Sequence, residues 1–422
     1  MSVSLAIRRR FERHLPAKTV NLWCHITEGA FASFGMELVG AGVIFSVLAG
    51  ALGATPAFLG MLTSFSRLAF IVPIIFAPRV EAYPKKKRLV MLLGIGQRLP
   101  LILIAACLLL FAKDAPLMCL LAIAVVNLMG NIVVSVLVGP WMDLIAETIQ
   151  TKLISRLFGF RNGISSILGL GSGAASAAII ALIAFPGNYA TLYLVGFASM
   201  AVSWLIFGLV DEIPADAPPR EKKPARAYYR DLIRVMKGDR TYRWYLAYGI
   251  LSKIGMMTAP FYAFIAVKVY NVPEALAAGT FITARYVARV IGNWGFPFLS
   301  ERIGHRKVLS MGVLLYVAST LVAAFAPSGM WYIAVFFISG LAMACQSVSG
   351  SAFNVQVIPP GRRIGYQSLA GLLTSPIGMA LPILAGLAIQ GIGHMYLFAG
   401  SALIILCGLY PLSKVKPRYN KE

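Results

Sequence analysis

The chain has 422 residues, of which 59% are hydrophobic and 13% are charged, and its mean hydropathy is +0.77. Soluble domains carry about 25% charged residues, so this composition excludes an ordinary soluble enzyme and indicates that most of the chain lies in lipid. The 38 lysines and arginines exceed the 16 acidic residues and give a net charge of +22. The positions of the charges along the chain then decide whether this positive excess indicates an acidic partner such as nucleic acid or reflects membrane topology.

Twelve apolar runs, each about 20 residues or longer, follow one another along the chain, and each is long enough to cross a bilayer as a helix. The runs are rich in Ala, Leu and Gly and do not alternate in polarity, which favours membrane helices over a β-barrel. The first run lacks the short apolar core and cleavage site of a signal peptide, so we expect it to remain as a span. The predicted spans are 20–51, 56–78, 89–112, 116–138, 157–185, 189–210, 243–270, 276–299, 308–326, 330–353, 365–389 and 395–413.

The basic residues are distributed unevenly between the two sides of this predicted membrane. Of the 38, 31 lie at the termini and in the even-numbered loops and the central segment, whereas only Lys113 and Lys268 lie on the opposite side. The positive-inside rule then places both termini in the cytoplasm, in a bacterial-type inner membrane. The charge excess is explained by topology and by contact with anionic lipid, and we expect no nucleic-acid partner.

A polar segment at 211–240 divides the predicted spans into two sets of six. We predict an N-terminal six-helix bundle over 1–210, a cytoplasmic linker over 211–240 that is partly helical from Tyr228, and a C-terminal six-helix bundle over 241–422. The predicted fold class is an all-α membrane protein with twelve transmembrane helices.

Loop sequences repeat between the two halves. EAYPKKK at 81–87 corresponds to ERIGHRK at 301–307, and RLFGFRN at 156–162 corresponds to RRIGYQS at 362–368. These correspondences indicate two pseudo-symmetric bundles in the same orientation, related by an axis along the membrane normal.

The loop at 299–307, LSERIGHRK, resembles the acidic-Arg-x-Gly-Arg-Arg loop motif of the major facilitator superfamily. Two positions depart from that pattern, since Pro297 replaces a glycine and Pro84 replaces the usual glycine of the copy after span two. The resemblance implies a secondary transporter that works by alternating access, with substrate in a central cavity.

Two further family motifs are missing. Residues 170–175, LGSGAA, lack the proline of the antiporter motif in span five, and Asn127 stands in the part of span four that often carries an arginine for proton coupling. These departures argue against drug/proton antiport of the familiar kind.

The sequence gives no sign of an enzyme. It has four histidines and no GxSxG, HExxH or phosphate-binding GxxxxGK[ST] motif, and its five cysteines lie in apolar stretches without spacing suited to zinc. We therefore expect no catalytic residue, no cofactor and no metal. Cys107 and Cys119 flank one short loop and can approach each other.

Seven charged side chains lie in the predicted spans away from the span ends, and an ionised group costs about 2.5 to 3.5 kcal/mol at a helix centre. They comprise two carboxylates and five cations, namely Glu28, Glu37, Arg67, Arg98, Lys253, Arg285 and Arg289. Two carboxylates cannot neutralise five cations, so the charges point to an anionic ligand or to pairing with backbone carbonyls.

Three arginines occupy one predicted depth. Arg67 lies roughly 21 Å along its helix from the loop that follows, and the repeat maps it between Arg285 and Arg289, which share one face of span eight. We predict that they face a common central cavity and bind phosphate, sulfate or carboxylate. The alternative is internal pairing, for example of Glu37 with Arg67.

Other polar groups join the substrate site in this hypothesis. Lys253 is either a site residue or a structural partner, and Asn127 and Asn131 share a face of span four. Interhelical hydrogen bonding is the alternative for these amides. Interhelical hydrogen bonding is also the alternative for a second group of polar side chains, on spans ten and eleven. This group comprises Gln346, Asn354, Gln367 and Thr374. We expect Tyr245, Tyr248 and Tyr262 to fill the interface between helices.

Glu37 is the candidate for proton coupling, because a buried carboxylate near an arginine can change its protonation when it changes partners. A permanent ion pair is the alternative. We expect Glu28 and His25 to lie at a solvated helix entrance near the cytoplasm. By analogy with the family, Arg98 on span three has a structural role.

Five loop residues are expected to hold helix ends together in one conformation, which is a gating role. They are Glu81, Lys85, Glu301, Arg302 and Arg306.

The sequence thus predicts a monomeric secondary transporter, a symporter or antiporter, that moves a small organic anion together with protons. Two alternatives stay open. One is an exporter of amphipathic compounds or lipids, which the aromatic and methionine content favours. The other is a transporter-like protein that does not transport and serves as a receptor or assembly partner.

Overall fold

The computed structural model describes residues 17–40, 43–69, 85–149, 151–211, 238–358 and 363–416, and single positions at 72, 230 and 234. The described residues form helices and no strand. In chain order the helices are α1 (Ala17–Val39), α2 (Ile44–Ala51), α3 (Pro56–Leu68), α4 (Lys86–Phe111), α5 (Pro116–Thr148), α6 (Thr151–Leu182), α7 (Gly187–Phe207), α8 (Arg240–Gly255), α9 (Phe261–Lys268), α10 (Glu274–Ile303), α11 (His305–Ala324), α12 (Trp331–Cys345), α13 (Ser351–Val357), α14 (Arg363–Ile392), α15 (His394–Cys407) and α16 (Leu409–Lys414).

Ten helical stretches in the described part of the chain are long and apolar enough to cross a membrane. The other two predicted spans are α10 and the span that begins with α3. α10 has 30 residues, but two internal arginines lower its hydropathy. α3 is described over 13 residues, and most of the span beyond it lies outside the described residues. The predicted twelve-helix membrane architecture agrees with these helices.

Three predicted spans are interrupted helices. The first breaks between α1 and α2, and the seventh contains a tight 3₁₀ turn at Met256–Thr258 before α9. The tenth passes from α12 through a π-helical turn at Gln346–Gly350 into α13. Such turns leave some backbone groups without their regular helical partner, and π turns often occur at functional sites.

The described residues group into two compact units. The first comprises 1–54, 65–217 and 274–279, and the second comprises 55–64, 218–273 and 280–422. The predicted linker at 211–240 and its helix from Tyr228 lie almost wholly outside the described residues. The predicted bundle boundaries at 210 and 241 stay a prediction.

Close helix packing in the first unit depends on small residues. A Cβ added at Gly35 of α1 would lie 2.7 Å from the carbonyl oxygen of Gly196 on α7. Pro100 of α4 packs against Gly130 of α5, where an added Cβ would lie 2.9 Å from the proline ring. Small residues allow this approach, which is how helices associate in lipid.

The loop between α4 and α5 brings two cysteines together, as the sequence suggested. The Sγ atoms of Cys107 and Cys119 are 3.4 Å apart, and both residues are buried free thiols.

Aromatic side chains fill the core of the second unit. The rings of Phe281 on α10 and Phe336 on α12 stack with centroids 4.8 Å apart. The Tyr262 ring meets Phe398 edge to face at 5.3 Å, and its hydroxyl lies 2.9 Å from the hydroxyl of Thr320. Tyr262 is 4% exposed, so its predicted role of filling the interface fits this packing.

α3 and α14 cross within the second unit through two glycines. Gly60 lies against the backbone carbonyl of Pro382, and Gly386 lies against the carbonyl of Pro56. A side chain at either glycine would meet backbone, which cannot rotate away as a flexible side chain can.

We therefore expect Gly386→Val to lower the apparent melting temperature of the purified protein strongly, because overpacking a tight contact costs about 1–3 kcal/mol or more. Gly391→Val is the matched control, since Gly391 lies on the same helix and nothing lies near its added Cβ. Equal melting temperatures for the two variants would contradict this account of the crossing.

Candidate functional site

Two guanidinium groups lie over one tyrosine on α10. The Cζ atoms of Arg285 and Arg289 are 5.6 Å and 5.1 Å from the centroid of the Tyr286 ring. Tyr286 is buried, so this cation–π contact holds both cations against a fixed surface. Gly340 of α12 packs against the Arg285 backbone, with an added Cβ 2.5 Å from its carbonyl oxygen. The backbone beneath the two arginines is therefore fixed by tight helix packing.

Lys253 lies in the last turn of α8, beside the 3₁₀ turn. Its ammonium donates a hydrogen bond to the hydroxyl of Thr374 on α14, and Thr374 donates to the carbonyl of Ala370 at 2.8 Å. A cation in the last turn also interacts favourably with the helix dipole. Lys253 thus has a structural partner in the same unit as Arg285 and Arg289.

Asn127 and Asn131 lie on one face of α5, as predicted. The Nδ2 atom of Asn131 donates to the carbonyl oxygen of Asn127 at 2.8 Å and lies 3.2 Å from its side-chain oxygen. Both side chains are half-buried. The described contacts of this pair are within one helix, and its place in a substrate site stays a prediction.

The π-helical turn lies next to two tyrosines of α8. The Tyr248 hydroxyl donates to Gln346 Oε1 at 3.2 Å, and Asn354 Nδ2 donates to the Tyr245 hydroxyl at 3.5 Å. The two tyrosine rings are 6.2 Å apart. These bonds agree with the expected interhelical role of both the amides and the tyrosines. The Gln367 side chain lies outside the described ones.

Glu37 is half-buried on α1. The side chain of Arg67 lies outside the described ones, although its backbone belongs to α3. The predicted pairing of Glu37 with Arg67, and the predicted meeting of Arg67 with the α10 arginines, therefore stay predictions.

The loop between α10 and α11 turns at Gly304, which has a positive φ angle. Gly304 has φ +88°, a conformation that favours glycine, and Glu301 and Arg302 are exposed beside it. Arg306 donates to the carbonyls of Ser413 and Val415 at 3.3 and 3.5 Å. Arg306 thus holds the end of α16 within its own unit.

The corresponding loop of the first half is described only in part. Lys85 is exposed immediately before α4, and Glu81 lies outside the described residues. The gating role of both loops stays a prediction.

Arg98 has the structural role that we expected. It is 8% exposed, and it donates from Nε to the carbonyl of Met200 at 2.6 Å and from Nη1 to the carbonyl of Gly94 at 2.7 Å. A buried arginine that is bonded to carbonyls joins α4 to α7 and needs no ligand.

A buried ion pair in the first unit was not predicted. Nη1 of Arg161 on α6 lies 2.7 Å from Oε2 of Glu28 on α1, and the Ser203 hydroxyl lies 3.3 Å from Oε1. The Arg161 guanidinium also lies 4.8 Å from the centroid of the Trp141 ring. The sequence places Arg161 among the basic residues on the cytoplasmic side, at the start of the predicted span 157–185, but it lies inside α6 and its side chain is 16% exposed.

The prediction of a solvated helix entrance at Glu28 and His25 is wrong. Glu28 is 8% exposed and His25 is 0% exposed. Arg161 passes across Gly29, where an added Cβ would overlap its guanidinium, and it also donates to the His25 carbonyl at 3.2 Å. The His25 ring contacts the Thr148 hydroxyl, with 3.2 Å from Nε2 to Oγ1. We call these side chains, with Ser203, the Glu28–Arg161 cluster.

Among the described residues, no group of three or more His, Cys, Asp or Glu side chains could hold a metal ion. The arrangements above can bind charge and hydrogen-bonding groups.

Comparison with known proteins supports a major facilitator superfamily transporter, as the loop motif predicted. Residues 274–422 match the family model described as Major Facilitator Superfamily. The fold is similar to that of the nucleoside transporter NupG (D323A mutant), with a TM-score of 0.72 and 14% identity over 93% of this chain and 100% of that one. The long apolar helices and the family match support a multi-pass membrane protein.

Two curated relatives match shorter stretches. Solute carrier family 22 member 6 of Rattus norvegicus is 32% identical over 103 residues, which are 23% of this chain and 19% of that protein. The arabinose-proton symporter of Bacillus subtilis (strain 168) is 30% identical over 115 residues, which are 27% of this chain and 25% of that protein. The match thus covers about a quarter or less of either relative.

Proposed function

We propose that this chain moves a small organic anion together with protons by alternating access. It acts as a monomer in an inner membrane, with both termini in the cytoplasm. The observation that carries the proposal is the pair Arg285 and Arg289, one helical turn apart on α10 and both in cation–π contact with the buried ring of Tyr286. Residues four apart on a helix have Cβ atoms about 6 Å apart, a spacing at which two guanidinium groups can share one carboxylate or phosphate.

The charge balance supports an anionic substrate. Arg161 lies inside a helix and pairs with Glu28, which leaves Glu37 as the remaining carboxylate of the predicted spans. Lys253 is a third cation in the unit that contains Arg285 and Arg289. An anion that binds there would offset charge that is costly to keep in a low-dielectric region.

The proposal is tested by thermal unfolding of the purified protein with a panel of phosphate, sulfate, monocarboxylates and dicarboxylates, because a ligand of the native state raises its stability with concentration. Arabinose is the neutral probe, chosen for the named substrate of one relative. Compounds that stabilise the protein are then tested for uptake into proteoliposomes with an imposed pH gradient.

Stabilisation by anions and uptake driven by the pH gradient are expected. Stabilisation by arabinose alone would replace the anion by a sugar, and stabilisation by amphipathic compounds would favour an exporter. Binding without flux in sealed vesicles would instead favour a receptor.

Glu37→Gln is expected to flatten the pH dependence of that uptake while anion binding persists. A buried carboxylate that exchanges a proton loses this ability as an amide, whereas its shape is kept. The measurement is uptake between pH 5.5 and 8, with Asp114→Asn as the control because Asp114 is exposed in the loop before α5. An unchanged pH profile in a well-folded Glu37→Gln protein would remove Glu37 from the coupling mechanism.

A further inference from the structure

The hydrogen bonds around His25 fix which ring nitrogen carries its proton. The Thr148 hydroxyl donates its single hydrogen to the carbonyl of Leu144 at 2.7 Å, so towards His25 Nε2, 3.2 Å away, it can act only as an acceptor. Nε2 therefore carries the hydrogen, and Nδ1 carries a lone pair. That Nδ1 atom is buried and has no hydrogen-bond partner among the described residues.

The described charged side chains in contact with the cluster come from two helices. Glu28 lies one turn away on α1 and Arg161 reaches across from α6. The described side chains of α5 and α7 that contact the cluster are uncharged: Thr148 contacts Nε2, Ser203 contacts Glu28 and the Phe207 ring lies 5.9 Å from the imidazole. Arg98 of α4 is bonded to carbonyls, and the side chains of Asp143 and Glu147, which precede Thr148 on α5, lie outside the described ones.

We propose that His25 Nδ1 is a proton-binding site that controls the Glu28–Arg161 pair. With a neutral imidazole, the described cluster contains one carboxylate and one guanidinium. A proton on Nδ1 would add a second cation beside Arg161, with Glu28 as the one carboxylate among the described side chains of the cluster to compensate both. Buried unbalanced charge is costly, so the proton is held in a conformation in which water reaches the cluster and Arg161 leaves Gly29.

Proton binding and opening of the cluster are therefore linked, and each favours the other. The linkage does not require Glu37 or any substrate. It assigns to the first unit a proton-dependent conformational change that is separate from the anion site proposed in the second unit.

The test uses Ser203→Cys as a reporter, because Ser203 is 0% exposed and contacts Glu28 in the closed cluster. The full-length protein in lipid nanodiscs is labelled with a water-soluble thiol reagent between pH 8 and pH 5.5, and labelled peptides are quantified by mass spectrometry. Lys113→Cys, in the exposed loop after α4, supplies the internal reference thiol, since the ratio of the two rates cancels the common effect of pH on thiol reactivity.

The ratio of labelling at the Ser203→Cys reporter to labelling at the Lys113→Cys reference is expected to rise by about tenfold or more as the pH falls, since one proton can change a linked population about tenfold per pH unit. His25→Gln should keep the ratio flat, because glutamine can still donate to Thr148 but cannot bind the proton. A pH-independent ratio in the parent, or a rise that persists in His25→Gln, would overturn the proposal. A rise that persists in His25→Gln and disappears only in Glu28→Gln would assign the proton to Glu28.

A second measurement observes the His25 tautomer directly. Nitrogen NMR of the histidine-labelled protein in which His14, His305 and His394 are replaced by glutamine, so that His25 gives the single signal, should show at pH 8 a neutral ring protonated at Nε2 with a weakly bonded Nδ1. A protonated Nδ1 at pH 8 would contradict the assignment. Because neither experiment contains substrate, their failure leaves the anion proposal intact, and a failure of anion binding leaves the His25 result intact.

Discussion

Replacing Arg289 by glutamine is expected to raise the anion concentration that is needed to stabilise this protein. A hydrogen bond to a charged group contributes about 1.5–3 kcal/mol, so losing the guanidinium should weaken anion binding by roughly 10-fold to 100-fold. The same result is expected for Arg285→Gln, because both cations share the Tyr286 ring. The measurement is the anion concentration that produces half of the maximal rise in melting temperature.

Two control variants separate charge from geometry in that experiment. Arg289→Lys keeps the charge but lacks the planar fork of donors, so we expect an intermediate affinity. Lys113→Gln removes one positive charge from the exposed loop after α4 and should bind the anion like the wild-type protein. Wild-type affinity in a well-folded Arg289→Gln protein would contradict the proposed anion site.

Glu28→Gln is expected to cause the largest loss of stability among single substitutions in the first unit. The carboxylate is the ion-pair partner of Arg161 at 2.7 Å. Removing one member of a fully buried pair costs about 3–5 kcal/mol, because the other charge stays buried without compensation, and the loss here should be smaller because Arg161 is 16% exposed. The measurement is the apparent melting temperature in detergent. The double variant Glu28→Gln with Arg161→Leu should recover part of the loss, since it leaves no unbalanced guanidinium.

Gly29→Ala tests the Glu28–Arg161 pair by displacing the arginine instead of removing the carboxylate. An added methyl group would overlap the guanidinium of Arg161, which is flexible enough to move but would then lose its position beside Glu28. The substitution should destabilise the wild-type protein and have little effect when Arg161 is already leucine. Equal effects in both backgrounds would show that Gly29 acts through backbone packing and not through Arg161.

Long apolar runs made the helices of this protein predictable, because a membrane span needs a fixed length of apolar residues whatever its partners are. Arg98 was also placed correctly as a structural residue. The π-helical turn at Gln346–Gly350 was not predicted, because its sequence is compatible with a continuous helix. Such a turn depends on packing between helices, which composition does not reveal.

The Glu28–Arg161 pair shows the limit of sequence reasoning most clearly. The two residues are separated by 133 positions, and Arg161 follows a run of cytoplasmic basic residues that gives it the appearance of a loop charge. Glu28 in turn lies close enough to the predicted helix end to suggest a solvated position. Only the packing of α1 against α6 makes both residues buried, and no local pattern encodes that contact.

The exchange of short segments between the two compact units affects how the gene can be divided. Residues 55–64 belong with the second unit, and residues 274–279 belong with the first, where the Tyr189 hydroxyl donates to Glu274 at 2.6 Å. A cut within 211–240 would separate each unit from one of its segments. The N-terminal fragment would lack residues 274–279, and the C-terminal fragment would lack residues 55–64. Fragments produced separately should therefore be degraded, whereas co-expression should restore both, which would make this chain a suitable scaffold for a split-protein reporter of membrane assembly.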